Sequence, residues 1–182
     1  MENNKNVVIQ IIGATGVGKS SFARSFAEGT EVIVDDPTLN EHYTRELYID
    51  KQFITVNVID TSTLSGTLWL TQQFTVHVIL CLFSLKNIET FKILKKQYKE
   101  FKSKIDHPVV WVVCGTLADE NSVSEDDYEK IKEFCFQLNA RYYEISLVKN
   151  KMDITSIIIQ ACYDHFLLEV SQRKRSTSCC IV

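Results

Sequence analysis

The sequence predicts a doubly wound α/β fold, with a mostly parallel six-stranded sheet and helices on both faces. Continuous apolar runs alternate along the chain with segments of helical periodicity, and such strands are typical of a sheet covered on both faces. The chain has 182 residues, of which 45% are hydrophobic. This length and composition suit one domain with its own core.

The expected strands are the apolar runs at 7–12, 53–59, 76–83 and 109–114. Segment 45–49 precedes the second run across Asp50 and Lys51, which predicts a hairpin and one antiparallel edge strand. Helices are expected at 88–104, at 124–138, where Ser124 begins a capping box, and at 153–170. From about Ser171 the chain is expected to be an unfolded tail.

Charge and cysteine content exclude several classes of protein. The net charge is −3 and the pI is near 5.8, so we expect no nucleic-acid-binding surface, and the one basic cluster expected is 173–175. Four cysteines within apolar stretches predict buried, reduced thiols: Cys81, Cys114, Cys135 and Cys162. Neither a signal region nor a membrane-spanning run is visible, so we expect a soluble, cytosolic body.

A glycine-rich turn, Gly-Ala-Thr-Gly-Val-Gly-Lys-Ser at 13–20, follows the first apolar run directly and precedes a helix. This is a complete P-loop, in which backbone N–H groups and the helix N-terminus bind phosphate oxygens. Lys19 reaches the β- and γ-phosphates, and the Ser20 hydroxyl ligates Mg²⁺. The pattern predicts a P-loop NTPase. The predicted binding residues are Gly13, Ala14, Thr15, Gly16, Val17, Gly18, Lys19, Ser20 and Ser21.

Segment 35–43, which contains Asp-Pro-Thr, resembles the first switch of Ras-type small GTPases. The resemblance implies that Thr38 binds Mg²⁺ and the γ-phosphate, and that the segment binds effectors. Asp35 stands where this family commonly has a tyrosine that covers the nucleotide. The implied effector residues are Asp35, Asp36, Pro37, Thr38, Leu39, Asn40, Glu41, His42 and Tyr43.

The second switch departs from the family pattern. Asp60 and Thr61 match the start of Asp-Thr-Ala-Gly-Gln, which implies that Asp60 holds Mg²⁺ through water. Thr63 and Leu64 then replace the glycine that contacts the γ-phosphate and the catalytic glutamine. Leucine has no donor or acceptor with which to orient the attacking water, and Thr15, at a P-loop position usually held by glycine, would crowd an arginine finger. We therefore expect slow hydrolysis. The implied catalytic residues are Lys19, Thr38 and a defective Leu64, and the implied metal ligands are Ser20, Thr38 and Asp60.

The base-recognition motif is also altered. Thr116-Leu117-Ala118-Asp119 resembles the family's Thr-Lys-x-Asp, which implies that Asp119 selects guanine while Leu117 replaces the lysine beside the base. Ser146 and Leu147 lie in a segment that resembles Glu-Thr-Ser-Ala-Lys. The resemblance thus places Thr116, Leu117, Asp119, Ser146 and Leu147 at the base.

Cys179 begins a Cys-a-a-X pattern after the basic residues Arg173, Lys174 and Arg175. This predicts prenylation of Cys179 and, with the basic cluster, a lipid anchor on the inner leaflet at the cytoplasmic face of the plasma membrane.

Together, the resemblance implies a small GTPase (G) domain at 1–170 and a flexible, prenylated tail at 171–182. The expected function is a membrane-anchored switch that binds GTP or GDP with Mg²⁺, effectors, an exchange factor and a GTPase-activating protein. Two alternatives remain: a non-hydrolysing, GTP-bound module that recruits effectors, and a P-loop ATPase or small kinase.

Overall fold

The structure is a computed structural model that describes residues 5–27, 42–61, 75–120, 122–146 and 151–178. Strands of the described residues form one six-stranded sheet in the order β2-β3-β1-β4-β5-β6. Only β2 is antiparallel to its neighbour, and the other pairs are parallel. The strands are β1 Lys5–Gly13, β2 His42–Ile49, β3 Gln52–Asp60, β4 Val78–Ser84, β5 Val110–Thr116 and β6 Arg141–Ile145. The predicted fold class is confirmed.

Four α-helices of the described residues cover both faces of this sheet. They are α1 Lys19–Ala27, α2 Glu89–Lys102, α3 Glu125–Leu138 and α4 Lys151–Ser178, with a 3₁₀ turn at Ala118–Glu120. Apolar residues of α1 and α4 pack in one core cluster, and those of α2 and α3 in another. All seven residues of β4 are buried, because alternate side chains enter the two clusters. This two-sided burial explains the continuous apolar runs.

Two local features follow from particular residues. Asp50 and Lys51 adopt positive φ angles of 49° and 64°, as a two-residue hairpin turn of this hand requires, so the predicted β2–β3 hairpin is confirmed. Ser124 caps α3, because its hydroxyl oxygen accepts a hydrogen bond from the backbone N–H of Asp127. The four predicted thiols are free and buried.

The predicted end of the last helix is wrong. The apolar pattern predicts a helix that ends at Val170 and an unfolded chain from about Ser171, whereas α4 continues to Ser178. The added residues have no apolar periodicity, but extending an existing helix needs no new nucleus. Basic residues also favour the C-terminal end of the helix dipole, and Arg173 pairs with Glu169 one turn earlier at 4.0 Å.

The topology gathers the carboxyl ends of the five parallel strands at one edge of the sheet, called here the carboxyl edge. Gly13, Asp60, Ser84, Thr116 and Ile145 end β1, β3, β4, β5 and β6, respectively. In open α/β sheets, ligands bind outside this edge. The predicted P-loop therefore lies where the fold favours a ligand site.

Candidate nucleotide-binding site

The P-loop runs from the end of β1 to the first turn of α1, and its glycines have geometric reasons. A Cβ added at Gly13 would overlap the carbonyl oxygen of Leu82 on the neighbouring strand. Gly16 and Gly18 have φ angles of 81° and 94°, a region that favours glycine. The backbone N–H of Phe22 then donates to the Gly18 carbonyl at 2.8 Å, so the helix begins as the loop ends.

Lys19 spans the loop with its side chain. Its ammonium group donates to the backbone carbonyls of Gly13 at 2.9 Å and Ala14 at 3.0 Å, and the residue is buried. Burial lowers the pKa of Lys19, and the negative charge of Asp60 opposes that shift. A fixed, partly desolvated cation at a helix N-terminus is suited to bind phosphate.

The predicted metal ligands Asp60 and Ser20 lie at the same edge. Asp60 is 1% exposed and pairs with Ile11 of β1 in the register of the sheet. Thr61 follows it and donates its hydroxyl to the Ile11 carbonyl at 2.6 Å, which fixes the backbone next to Asp60. Ser20 is half-buried in the first turn of α1. Hard carboxylate and hydroxyl oxygens fit Mg²⁺, so this donor set fits a metal bound to phosphate.

Thr116 was expected to contact the base, but its side chain makes different contacts. Its side chain is completely buried, and its hydroxyl lies 2.8 Å from the Val17 carbonyl and 3.0 Å from the Phe83 carbonyl. The hydroxyl thus connects β5 and β4 to the P-loop instead of facing a ligand. Sequence reasoning missed this contact, which spans 99 positions of the chain.

The other described residues that are predicted to bind the guanine base lie beyond the ends of β5 and β6. Leu117 adopts a φ angle of 56°, which turns the chain into the 3₁₀ segment that presents Asp119, an exposed residue. Ser146 directly follows Ile145, the register partner of Thr116. Its buried hydroxyl oxygen has no hydrogen-bond partner in the described part of the chain. Leu117, Asp119 and Ser146 therefore follow two neighbouring strand ends.

The other P-loop residues divide by exposure. Ala14 and Val17 are buried, whereas Thr15, Gly16 and Ser21 are exposed.

Several predicted site residues lie outside the described residues. These are Thr63, Leu64, Leu147, Cys179 and the first-switch residues from Asp35 to Glu41, including Thr38.

The described end of the first-switch segment requires a correction. Tyr43 in β2 is 1% exposed and packs in the core cluster of α1 and α4. Its side chain is not available to an effector, because alternate residues of this strand face the core. His42 is half-buried, and its side chain is accessible in part.

Comparison with known proteins gives one family and several distant relatives. A family model described as "Ras family" matches residues 7–165. Human GTP-binding protein Rheb is 25% identical over 156 residues, which cover 83% of this chain and 84% of that protein. Ras-like protein 1 of Saccharomyces cerevisiae is 26% identical over 153 residues, which cover 80% of this chain and 50% of that protein. The bovine Ras-related and estrogen-regulated growth inhibitor is 23% identical over 188 residues, with coverage of 98% and 92%.

Proposed function

The chain belongs to the Ras family, and on that basis we propose that it is a membrane-anchored guanine-nucleotide switch with slow GTP hydrolysis. Family membership makes it a GTP-binding signalling protein of the small GTPase class. The observation that carries the finer proposal is the contrast between two parts of one site. Lys19 and Asp60 are both buried at the carboxyl edge, which supports roles in binding the phosphates and Mg²⁺, whereas Leu64 stands at the sequence position of the residue that would direct water.

Different residues of this chain bind the phosphates, the Mg²⁺ ion and the base of the nucleotide. Lys19 and the backbone N–H groups of the P-loop hold the phosphates, and Ser20 and Asp60 hold Mg²⁺. When bound, Mg²⁺ neutralises charge on the phosphate oxygens. Asp119 accepts hydrogen bonds from the guanine edge, which adenine does not offer. Ser146, whose buried hydroxyl has no hydrogen-bond partner among the described residues, lies beside this base site.

The proposal of slow hydrolysis rests on two sequence positions, Leu64 and Thr15. Leu64 occupies the sequence position of the water-directing glutamine, and its methyl groups have neither a donor nor an acceptor with which to hold water in line for attack. Thr15 is exposed at the rim of the P-loop and adds a branched side chain where a partner's arginine would enter. Such an arginine contributes roughly 10³–10⁵ in rate, so its exclusion would keep the GTP-bound state long-lived.

The test is single-turnover hydrolysis by the full chain loaded with GTP and Mg²⁺. We expect bound GTP to persist in the wild type, and we expect hydrolysis to rise when Leu64→Gln, Thr15→Gly and Thr63→Gly are combined. A control variant, Lys132→Gln, changes an exposed lysine on α3 and leaves the rate unchanged. Rapid conversion to GDP by the wild type would refute slow hydrolysis.

A non-hydrolysing module that recruits effectors while GTP is bound is the second candidate, and Leu64 favours it. The same triple variant discriminates the two. If it remains inactive although it retains GTP, the site lacks more than these three positions and the module is the better description. An ATPase is tested with Asp119→Asn, which weakens GTP binding in a guanine site and leaves nucleotide choice unchanged in an adenine site.

The anchor and the partners are proposed on the sequence. In the part of the chain that the structure describes, no helix is both long and apolar enough to cross a membrane. We assign attachment to a prenyl group on Cys179, assisted by Arg173, Lys174 and Arg175, at the inner leaflet of the plasma membrane. Effectors would bind segment 35–42, and an exchange factor and a GTPase-activating protein would set the nucleotide state. Loss of membrane fractionation in Cys179→Ser tests the anchor.

A further inference from the structure

A row of lysines covers the solvent-facing side of α2. Segment 89–104 contains six lysines and two glutamates, in a chain whose net charge is −3. The lysine stripe is defined as Lys92, Lys95, Lys96, Lys99 and Lys102. Their spacing of three and four residues places them on one face of the helix. The expectation that 173–175 is the one basic cluster is therefore wrong.

Most of the stripe has no acidic partner among the described residues. Lys92 pairs with Glu89 at 2.6 Å, and Lys95 and Lys102 lie 5.0 Å and 5.5 Å from the ring centroids of Phe91 and Tyr98. Within the described ranges, no ion pair forms at Lys95, Lys96, Lys99 or Lys102.

The lysines of helix α3, in contrast, are paired with acidic residues. Its exposed Lys130 and Lys132 pair with Asp127 and Glu129, each at 2.7 Å. Like charges three or four residues apart destabilise a helix. The stripe therefore opposes the folding of α2, and a bound polyanion would relieve this repulsion.

Four of these lysines line one groove. A cavity of about 370 Å³ lies between α2 and α3 and is lined by Lys92, Lys95, Lys96, Lys99, Tyr98, Phe134 and Gln137. Tyr98 and Phe134 meet edge to face with ring centroids 5.3 Å apart, and they form an aromatic wall. The cavity is within the usual size range of small-molecule sites.

The groove is separate from the other expected anion-binding regions of the molecule. Helix α2 packs on β1 and β4, on the face opposite α1 and α4. The P-loop lies at the carboxyl edge, and the basic residues 173–175 belong to α4. At the Lys92 end, Lys92 contributes to the lowered pKa of Asp127, so that end has a carboxylate nearby. Among the described residues, the groove lysines without an ion pair are therefore Lys95, Lys96 and Lys99.

We propose that this groove binds a small, multiply phosphorylated ligand of the inositol polyphosphate class, either free or as the headgroup of a phosphoinositide. Four lysines border one small cavity whose own lining is mostly apolar, and each carries a mobile point charge on a flexible stem, which suits several phosphates around one ring. The aromatic wall contacts the C–H face of the ring, and the exposed amide of Gln137 faces its hydroxyl groups. The nucleotide switch does not require this site, so its test is independent of the proposed function.

The test is calorimetric titration of the full chain with inositol hexakisphosphate, with saturating GDP and Mg²⁺ to fill the P-loop. We expect one site, a rise in melting temperature on binding, and affinity that falls as salt is added. Lys96→Gln combined with Lys99→Gln should weaken binding at least tenfold. This variant should melt close to the wild type, because the like-charge repulsion that it removes offsets the favourable position of Lys99 at the C-terminal end of the helix dipole. The matched control, Lys130→Gln with Lys132→Gln, removes two paired lysines and should bind normally.

Vesicles of phosphatidylcholine, with and without a phosphoinositide bisphosphate, identify the source of the phosphates. Binding to the free ligand alone assigns a soluble ligand, and stronger binding to the vesicles assigns a lipid headgroup; both support the site. Absence of binding to either probe overturns the proposal, as does equal binding by the Lys96/Lys99 variant. An RNA duplex that displaces inositol hexakisphosphate at a lower concentration overturns it in favour of nucleic acid.

Discussion

Thr116 shows how one buried hydroxyl can position a ligand site that it does not touch. Its O–H is shared between the carbonyls of Val17 and Phe83, and no solvent reaches the side chain. Thr116→Val keeps the shape and removes the donor, which leaves buried acceptors unsatisfied. We expect the free energy of unfolding to fall by about 1–3 kcal/mol and GDP to dissociate faster. Urea denaturation and the release of a fluorescent GDP analogue measure the two effects.

The matched variant is Thr116→Ser, which keeps the hydroxyl and loses only a methyl group. It should release GDP more slowly than Thr116→Val does. Equal release rates for the two variants would show that the hydroxyl does not hold the P-loop.

Among the charged side chains of the site, Lys19 should contribute most to binding the phosphates. Hydrogen bonds to charged groups are worth about 1.5–3 kcal/mol, so Lys19→Met should weaken GDP binding by about ten- to hundredfold. Lys132→Met, a change of the same type on the surface of α3, should leave affinity unchanged. Equilibrium titration with a fluorescent GDP analogue measures both. Wild-type affinity in Lys19→Met would exclude the P-loop as the phosphate site.

Strands and helices were predictable wherever their sequence pattern is strong. The two-sided burial of β4 makes it a continuous apolar run, and the P-loop has fixed residue types at fixed spacing. Strand β6 was not located because its sequence Arg-Tyr-Tyr-Glu-Ile, at the edge of the sheet, has one buried residue. The contact of Thr116 with Val17 was not predictable because it depends on how distant segments meet. The lysine stripe was visible in the spacing of α2 and was missed because the net charge concealed it.

The start of α3 offers a direct test of an element that the sequence did predict. The Ser124 hydroxyl accepts from the N–H of Asp127 at 3.3 Å and donates to its carboxylate at 2.9 Å. Ser124→Ala should lower the free energy of unfolding by about 1 kcal/mol, since it removes the cap. Ser103→Ala, at the exposed end of α2, should change it by less than about 0.5 kcal/mol. Urea denaturation compares them, and equal losses would show that the cap contributes nothing.

The two ends of the sheet differ in character. The P-loop lies at one end, and several histidines lie together at the other. His77 precedes β4, and its Nδ1 accepts a hydrogen bond from the Val8 N–H at 2.8 Å, which joins β4 to β1. Its ring lies 4.6 Å from that of His165 on α4, centroid to centroid. The Nε2 of His107 lies 2.9 Å from the Val76 carbonyl oxygen. Acid should therefore act on the fold from the end opposite the P-loop.

Burial, followed by the positive charge of His165, lowers the pKa of His77 to about 4 from an ordinary value of 6.5. Between these values the unfolded chain binds the proton more tightly, so the stability present above about pH 6.5 is lost as pH falls towards 4. Protonation also removes the acceptor for the Val8 N–H. His77→Asn offers an amide oxygen in place of Nδ1 and does not titrate. Its melting temperature should therefore fall less than that of the wild type between pH 6.5 and 4.

His165→Phe, measured over the same pH range, gives the part of the stability loss that is due to the neighbouring ring, because burial also lowers the pKa of His165. If His77→Asn loses as much stability as the wild type over this range, the loss arises elsewhere in the molecule.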